Sequence, residues 1–453
     1  MHAASSSNAT SDQSNPLGSE GRGAAIHSDH LTLPRSRRGH LSGGQPIGQL
    51  MHQALEYPHL ISLAAGFVDD GTLPIELTSE AMQGFQNDPA RLRKALQYGS
   101  NAGDYALRQA ILDFSFRDFP PVRSISPDQV VLTAGSNQLL HLIADSLFDP
   151  GDIVLTAAPT YFVFLGALKG MGIRTIGVES DEQGMCPKAL AETMQRLEQQ
   201  GLAGRVKAVY VVPYFDNPAG TTIGNARRIE IAEILQRWRA SGRDTILLAD
   251  YAYQELGFEA TKVAPWRSLI EHADEYTVEL GTFSKSFSPG VRIGWGIFPP
   301  AMTEVIAAMK ANIDFGSPHF NQQLMLSVLQ SGKLPEHLDR LRQGYHAKGK
   351  AMVDACREFL GAIPGLRWYE PQGGLYVWVE MPPSLPAGVG TPLYQAAIDQ
   401  GVLYVPGEYC FPDEGTSKHF SSMRLTFGVQ SPERIRQGIR LLGDAMQSLL
   451  QTS

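Results

Sequence analysis

The sequence predicts an α/β fold, with a mostly parallel sheet covered by helices and a smaller α+β part behind it. Three observations lead there. Between about Pro127 and Gly296, short apolar runs alternate with helical stretches, as in a parallel sheet buried on both faces. Polar and charged residues collect directly after those runs, where open parallel sheets bind ligands. After about Ser317 the texture changes to long helices and alternating strands.

The elements follow in order. Ile47, Leu50, Met51, Ala54 and Leu55 stand at helical spacing and predict a short amphipathic helix. Leu60–Ala65 is an apolar run that ends at Gly66. Val130–Leu132 reads as a strand, and Asn137–Phe148 as a helix with Leu139, Leu140, Ile143 and Leu147 on one face. Ile153–Leu155 is a strand and Phe162–Leu168 a helix. Val206–Val212, Ile246–Ala249 and Thr277–Leu280 are further strands. Asn225 is placed to cap a helix running to Trp238, with Gly242 just past its end. Later come helices over Phe320–Gln330 and Pro335–Leu360, strands over Gly374–Val379 and Met423–Phe427, and a closing helix from Pro432 to about Leu450.

Composition narrows the function. With 43% hydrophobic and 19% charged residues in 453, the chain can bury a large core. A net charge of −8 argues against a broad nucleic-acid footprint. Cys186, Cys356 and Cys410 lie far apart, so neither a disulfide framework nor a Cys-based zinc site is readable. A reducing compartment, the cytoplasm, is expected. The 12 histidines are scattered without a His-Glu-x-x-His pattern, so no metal is expected. No run approaches the roughly 18 apolar residues of a membrane span. The first 30 or so residues are polar and Gly/Ser-rich, with Asp12, Glu20 and Asp29 among them, which disfavours a secretory signal. Gly170-Met171-Gly172 has Thr175 where a dinucleotide fingerprint needs its third glycine, and reads as a helix stop. No Gly-Lys-Ser/Thr phosphate loop and no Gly-x-Ser-x-Gly elbow occurs.

The chemistry sits at the strand ends. In order they offer Gly135-Ser136-Asn137, Pro159-Thr160-Tyr161, Asn217-Pro218-Ala219-Gly220, Asp250-Tyr251-Ala252-Tyr253, and Thr282-Phe283-Ser284-Lys285 followed by Arg292. Each has a plainer reading alone: a tight turn, a packing aromatic, a β-turn, a turn cap, a solvated charge. Their joint placement changes this, because a dry crevice holding Asp, Lys and Arg needs a partner for each charge. Pyridoxal 5′-phosphate accounts for all of them. Its aldehyde needs a lysine, its ring nitrogen a carboxylate, its phosphate a helix N-terminus with hydroxyls and an arginine, and its ring face an aromatic.

With those residues in place, the chain resembles the fold-type I, class I/II aminotransferases, and within them the 2-aminoadipate/kynurenine aminotransferase subgroup. The resemblance runs from about Pro46 to Leu450. It is carried by Gln97-Tyr98-Gly99, Gly135-Ser136-Asn137-Gln138, Pro159-Thr160-Tyr161, Asn217-Pro218-x-Gly220, Asp250-x-x-Tyr253, Thr282-Phe283-Ser284-Lys285, Pro289-Gly290-Val291-Arg292-Ile293-Gly294, Val405-Pro406-Gly407 and Arg424-Leu425-Thr426-Phe427. It implies a seven-stranded type of sheet in a large cofactor-binding domain (76–316). A small domain is built from 317–453 and a segment at 46–75, behind a flexible tail at 1–45. It implies that Lys285 holds the cofactor and moves the proton, and that Asp250 faces the ring nitrogen. Asn217 and Tyr253 face the phenolic oxygen, and Tyr161 stacks on the ring. Ser136, Asn137, Thr282, Ser284 and Arg292 take the phosphate. Gly66, Asn217 and Arg424 meet the substrate, with Arg424 on its α-carboxylate. Tyr98 implies a homodimer with shared sites, since its counterpart reaches the neighbouring phosphate.

The implied activity is transfer of an amino group from an L-amino acid to a 2-oxo acid, with 2-oxoglutarate expected as one partner and ping-pong kinetics. Thr282, Asn137 and the loop Gly66-Phe67-Val68-Asp69-Asp70 depart from the family's usual residues. Phe67, Val68, Tyr404, Tyr409 and Phe411 suggest a bulky or apolar substrate side chain. A lyase or decarboxylase on the same scaffold is the first alternative, separated by whether the aminated cofactor accumulates. A ligand-sensing regulator is the second, separated by DNA binding.

Overall fold

The computed structural model describes residues 36–42, 48, 59–260, 262–416 and 420–452. The elements below belong to the unit Arg37–Ser453. The helix expected around Ile47–Leu55 lies outside the described residues. Within the expected tail, Arg37–Leu41 forms a short helix whose Arg38 pairs with Asp145 at 2.7 Å.

The strands are β1 (Ile61–Ser62), β2 (Val130–Thr133), β3 (Ile153–Ala158), β4 (Arg174–Asp181), β5 (Gly184–Met185), β6 (Val206–Val211), β7 (Ile246–Asp250), β8 (Thr277–Thr282), β9 (Gly294–Ile297), β10 (Arg367–Trp368), β11 (Tyr376–Glu380), β12 (Val402–Leu403), β13 (Val405–Pro406) and β14 (Ser422–Thr426). The large sheet has the order β2-β9-β8-β7-β6-β3-β4-β5. The pairs from β8 through β4 are parallel, while β9 runs antiparallel to both β2 and β8. Seven of these strands match the expected sheet type. The eighth, β5, is a two-residue edge strand hairpinned to β4.

Successive residues of the central strands feed opposite faces. Ala208 and Tyr210 of β6, with Ile246 and Leu248 of β7, join one apolar cluster; Val209, Val211, Leu247 and Ala249 join the other. This double burial explains why these runs are continuously apolar. Each large aliphatic side chain so buried contributes about 1.5–3 kcal/mol.

The second sheet, β10-β11-β14-β13, is antiparallel. β1 pairs in parallel with β12, and Thr426 N–H donates to Leu63 O, so the segment before Gly66 is held by C-terminal elements. The fold is therefore α/β, with a large mostly parallel sheet and a smaller antiparallel one.

Two sequence expectations are corrected. The helix Asn225–Ala240 is preceded by Gly224, and Asn225 does not cap it. Its amide instead accepts from Ala264 N–H and donates to Lys262 O, tying the helix start to a distant loop. The expected strand at Gly374 begins at Tyr376, because Gly374 has φ +71° and a Cβ there would stand 2.7 Å from Phe215 Cβ. Among the described residues, no helix is long and apolar enough to cross a membrane. No group of three or more His, Cys, Asp or Glu side chains there could hold a metal.

Candidate active site

β6, β7 and β8 lie side by side and end at one edge of the large sheet. Beyond that edge is a cavity of about 450 Å³, also walled by β11, β13, β14 and the segment Ala64–Phe67. Gly66, Ser136, Asn137, Tyr161, Asn217, Asp250, Tyr253, Thr282, Ser284, Lys285, Arg292 and Arg424 all line it. Tyr98 does not. It is 78% exposed and lies edge-on to Phe315 at 5.6 Å.

Asp250 closes β7 and is buried. Oδ1 accepts from Ala252 N–H at 3.1 Å, and Oδ2 accepts from the Tyr210 hydroxyl at 3.2 Å. Both partners are neutral, and burial pushes the carboxyl up to about 6. Lys285 follows β8 on a loop pinned by Thr282, whose Oγ1 accepts from Ser284 N–H and donates to Ile293 O. Its Nζ donates to Gly66 O at 2.7 Å. Burial lowers its pKa, and the nearby Arg424 and Arg292 lower it further against an opposing effect of Tyr376. The amine is thereby biased toward its neutral, nucleophilic form.

Asn217 rides on a loop clamped at both ends by Arg228. That buried guanidinium donates to Pro213 O at 2.9 Å and Ile223 O at 2.7 Å, and lies over the Tyr214 and Trp266 rings. Phe215 in this loop has φ +48°, costly for an aromatic residue. Its N–H is held by Thr222 Oγ1. Asn217 Oδ1 accepts from Arg424 Nη1 at 2.8 Å, which fixes the amide orientation and leaves Nδ2 donating to Tyr253 Oη at 3.1 Å. Arg424 Nη2 donates to Ala64 O at 2.7 Å, and its buried Nε has no hydrogen-bond partner. The guanidinium thus sits buried among neutral acceptors, a setting that calls for a carboxylate.

At the other end of the cavity the helix Ser136–Leu147 starts without a side-chain cap, leaving backbone N–H groups to be satisfied. Gly135 has φ +94°, and a Cβ there would collide with the Arg292 guanidinium. Arg292 donates to Ala134 O at 2.8 Å and Pro289 O at 3.0 Å. Asn137 Oδ1 accepts from the Tyr161 hydroxyl at 3.0 Å, so this side chain orients the aromatic.

The chain matches the family "Aminotransferase class I and II" over residues 58–441. The chain belongs to the class I and II aminotransferases. It is 34% identical over 396 residues to aromatic-amino-acid aminotransferase 1 of Thermococcus litoralis, covering 87% of this chain and 89% of that one. Among solved structures it is similar to the multiple substrate aminotransferase of Thermococcus profundus, with TM-score 0.82 and 29% identity over 92% of this chain and 98% of that one. It is also similar to α-aminoadipate aminotransferase LysN of Thermus thermophilus, complexed with N-(5′-phosphopyridoxyl)-L-leucine, with TM-score 0.79 and 27% identity over 92% and 98%. The protein is a pyridoxal-phosphate-dependent aminotransferase.

The residues present fit that cofactor. A buried carboxylate without a cation, a lysine of lowered pKa, an uncapped helix start beside an arginine and a partnerless guanidinium Nε are four unmet requirements in one cavity. The sequence reading missed Tyr376, Phe162, Val163 and Val212 in the cavity wall. All of β11 except its last residue is buried, so alternation could not show which face Tyr376 takes. Of the residues expected near the substrate side chain, only Phe67 lines the cavity. Val68 is buried away from it, Tyr404 is buried with its hydroxyl on Ala387 O, and Phe411 packs on Trp378. Tyr409 also lies outside the wall.

Proposed function

We propose that this aminotransferase takes L-amino acids with bulky apolar or aromatic side chains, and returns the amino group to a 2-oxo acid. The observation that carries the substrate class is a count of cations. Among the described residues lining the cavity only Lys285, Arg292 and Arg424 are cationic. The aldehyde, the phosphate and the substrate α-carboxylate require one each. None remains for a side-chain carboxylate, while Ala64, Phe67, Phe162, Val163, Val212 and Val405 supply apolar wall. The similarity to an aromatic-amino-acid aminotransferase supports the same class.

When bound, the cofactor supplies an electrophilic aldehyde and a ring that withdraws electrons from the substrate Cα. In this reading Lys285 would hold the aldehyde, and its Nζ, once free, would take the substrate Cα proton. Asp250, buried with only neutral hydrogen-bond partners, would hold the ring-nitrogen proton. Arg424 fixes the α-carboxylate with its two-pronged fork. Asn217 and Tyr253 present hydrogen-bond donors to the phenolic oxygen, and Tyr161 covers the ring. Ser136, Asn137, Thr282, Ser284 and Arg292 surround the phosphate. Donor and acceptor would use one Arg424 in turn, and transfer in two half-reactions predicts ping-pong kinetics.

Tyr98 completes the reading as a homodimer contact. Its exposed ring lies edge-on to the exposed Phe315, an apolar surface that a second copy would cover. The test is a panel of kcat/KM values. L-Phenylalanine and L-leucine should exceed L-aspartate by about tenfold or more, the scale of one unpaired carboxylate in an apolar wall. Preference for aspartate would overturn the substrate class.

A further inference from the structure

Tyr376, the first residue of β11, is buried with its hydroxyl inside the cavity wall. Its Oη lies 3.2 Å from Tyr253 Oη, with the two rings edge to face at 5.7 Å. Asn217 Nδ2 is 3.1 Å from the Tyr253 oxygen and 3.5 Å from the Tyr376 oxygen. The Arg424 guanidinium covers the Tyr376 ring at 4.4 Å. Gly66 makes room for the hydroxyl, since a Cβ there would stand 2.8 Å from Oη.

A proton count decides what this arrangement does. The two phenols bring two hydroxyl protons. Asn217 Nδ2, its orientation set by Arg424, can only donate to them. One hydroxyl proton is spent between the phenols, so one remains free. Among the described residues, the hydrogen bonds of Tyr376 Oη offer its proton one acceptor, Tyr253 Oη. Tyr253 gains a second acceptor once the cofactor's phenolic oxygen is in place, a step that rests on the reading above. The arrangement satisfying both protons has Tyr376 donating to Tyr253 and Tyr253 donating onward.

We propose that Tyr376 is a positioning residue that acts through Tyr253: it donates to the Tyr253 hydroxyl, aims that hydroxyl's proton at the phenolic oxygen, and strengthens the donation. Hydrogen bonds in series polarise one another. Burial holds the Tyr253 phenol well above its ordinary range, so Tyr253 keeps its proton for this purpose.

The test titrates the visible absorbance of the cofactor-loaded protein against pH in wild type, Tyr376→Phe, Tyr253→Phe and the double variant. Donation onto the phenolic oxygen favours its anionic form. Weakening it therefore raises the pH at which the chromophore loses its proton. Tyr376→Phe should move the midpoint up by about half a pH unit. Tyr253→Phe should move it further, and the double variant should match Tyr253→Phe alone, because the Tyr376 proton acts on the chromophore through the Tyr253 hydroxyl. Tyr376→Leu, a second side chain without a donor, should shift the midpoint in the same direction. A midpoint unmoved by Tyr376→Phe while Tyr253→Phe moves it overturns this proposal and leaves the role of Tyr253 intact. A double variant that adds the two shifts also overturns it. An unmoved Tyr253→Phe midpoint overturns the proposal together with the reading beneath it.

Discussion

Asp250→Asn should make the cofactor-free protein more stable while disabling the enzyme. Without cofactor, burial raises the Asp250 carboxyl from 3.8 to about 6. Its two hydrogen-bond partners, Ala252 N–H and the Tyr210 hydroxyl, are neutral and do not offset the lost hydration. A folded pKa above the unfolded one means that the native state holds the proton more tightly. The stability tied to that proton is full below about pH 3.8, falls as pH rises, and is gone above about 6. The rise corresponds to about 3 kcal/mol at about 1.4 kcal/mol per pH unit. Asparagine keeps the shape and carries no charge. Denaturant unfolding of the cofactor-free proteins at equal concentration should therefore give matching stabilities near pH 4. By pH 7 the variant should lead by up to about 3 kcal/mol. Loading the cofactor should erase or reverse that lead, because the ring nitrogen supplies wild type with the missing cation. A gap that stays constant from pH 4 to 8, or one that favours wild type without cofactor, would refute the reasoning.

Two further outcomes follow from the same cavity. Lys285→Ala should bind the cofactor without developing the yellow colour of the lysine-linked form, and should lose nearly all turnover; an active variant would remove Lys285 from its place. Arg424→Lys keeps the charge but loses the planar fork that reaches Asn217 Oδ1 and Ala64 O. It should raise KM for amino and oxo acids by about 10- to 100-fold, the scale of a lost charge-assisted hydrogen bond, and steady-state kinetics with both half-reaction substrates would check it.

The sheet was legible where double burial leaves uninterrupted apolar runs, as in β6 and β7. It was not legible in β4, whose polar ends and Gly177 break the run, nor in β9, where Gly294 and Gly296 replace side chains that would clash with the backbone of Ser136 and the ring of Phe298. The helix Pro187–Gln199 was readable but passed over: Pro at its start and buried Leu190, Met194 and Leu197 on one stripe are a clear signal. The helix Pro300–Asp314 was also readable but passed over: Met302, Ile306 and Met309 stand at helical spacing and pack on the core. The lysine, carboxylate, amide and arginine of the cavity could be found because each follows a strand or carries a motif. The apolar substrate wall could not, since Phe162, Val163 and Val212 look like core residues until the fold turns them toward the cavity. Asn225 misled because Asn before a helix resembles a cap, while its amide here bridges to the loop at Lys262–Ala264.

The most direct test of the account is the visible spectrum of the loaded protein mixed with L-phenylalanine alone, without any oxo acid. Loss of the yellow band, with one equivalent of phenylpyruvate released per site and the aminated cofactor left on the protein, is the predicted result. An unchanged spectrum, or loss of the band with carbon dioxide in place of the oxo acid, would contradict it.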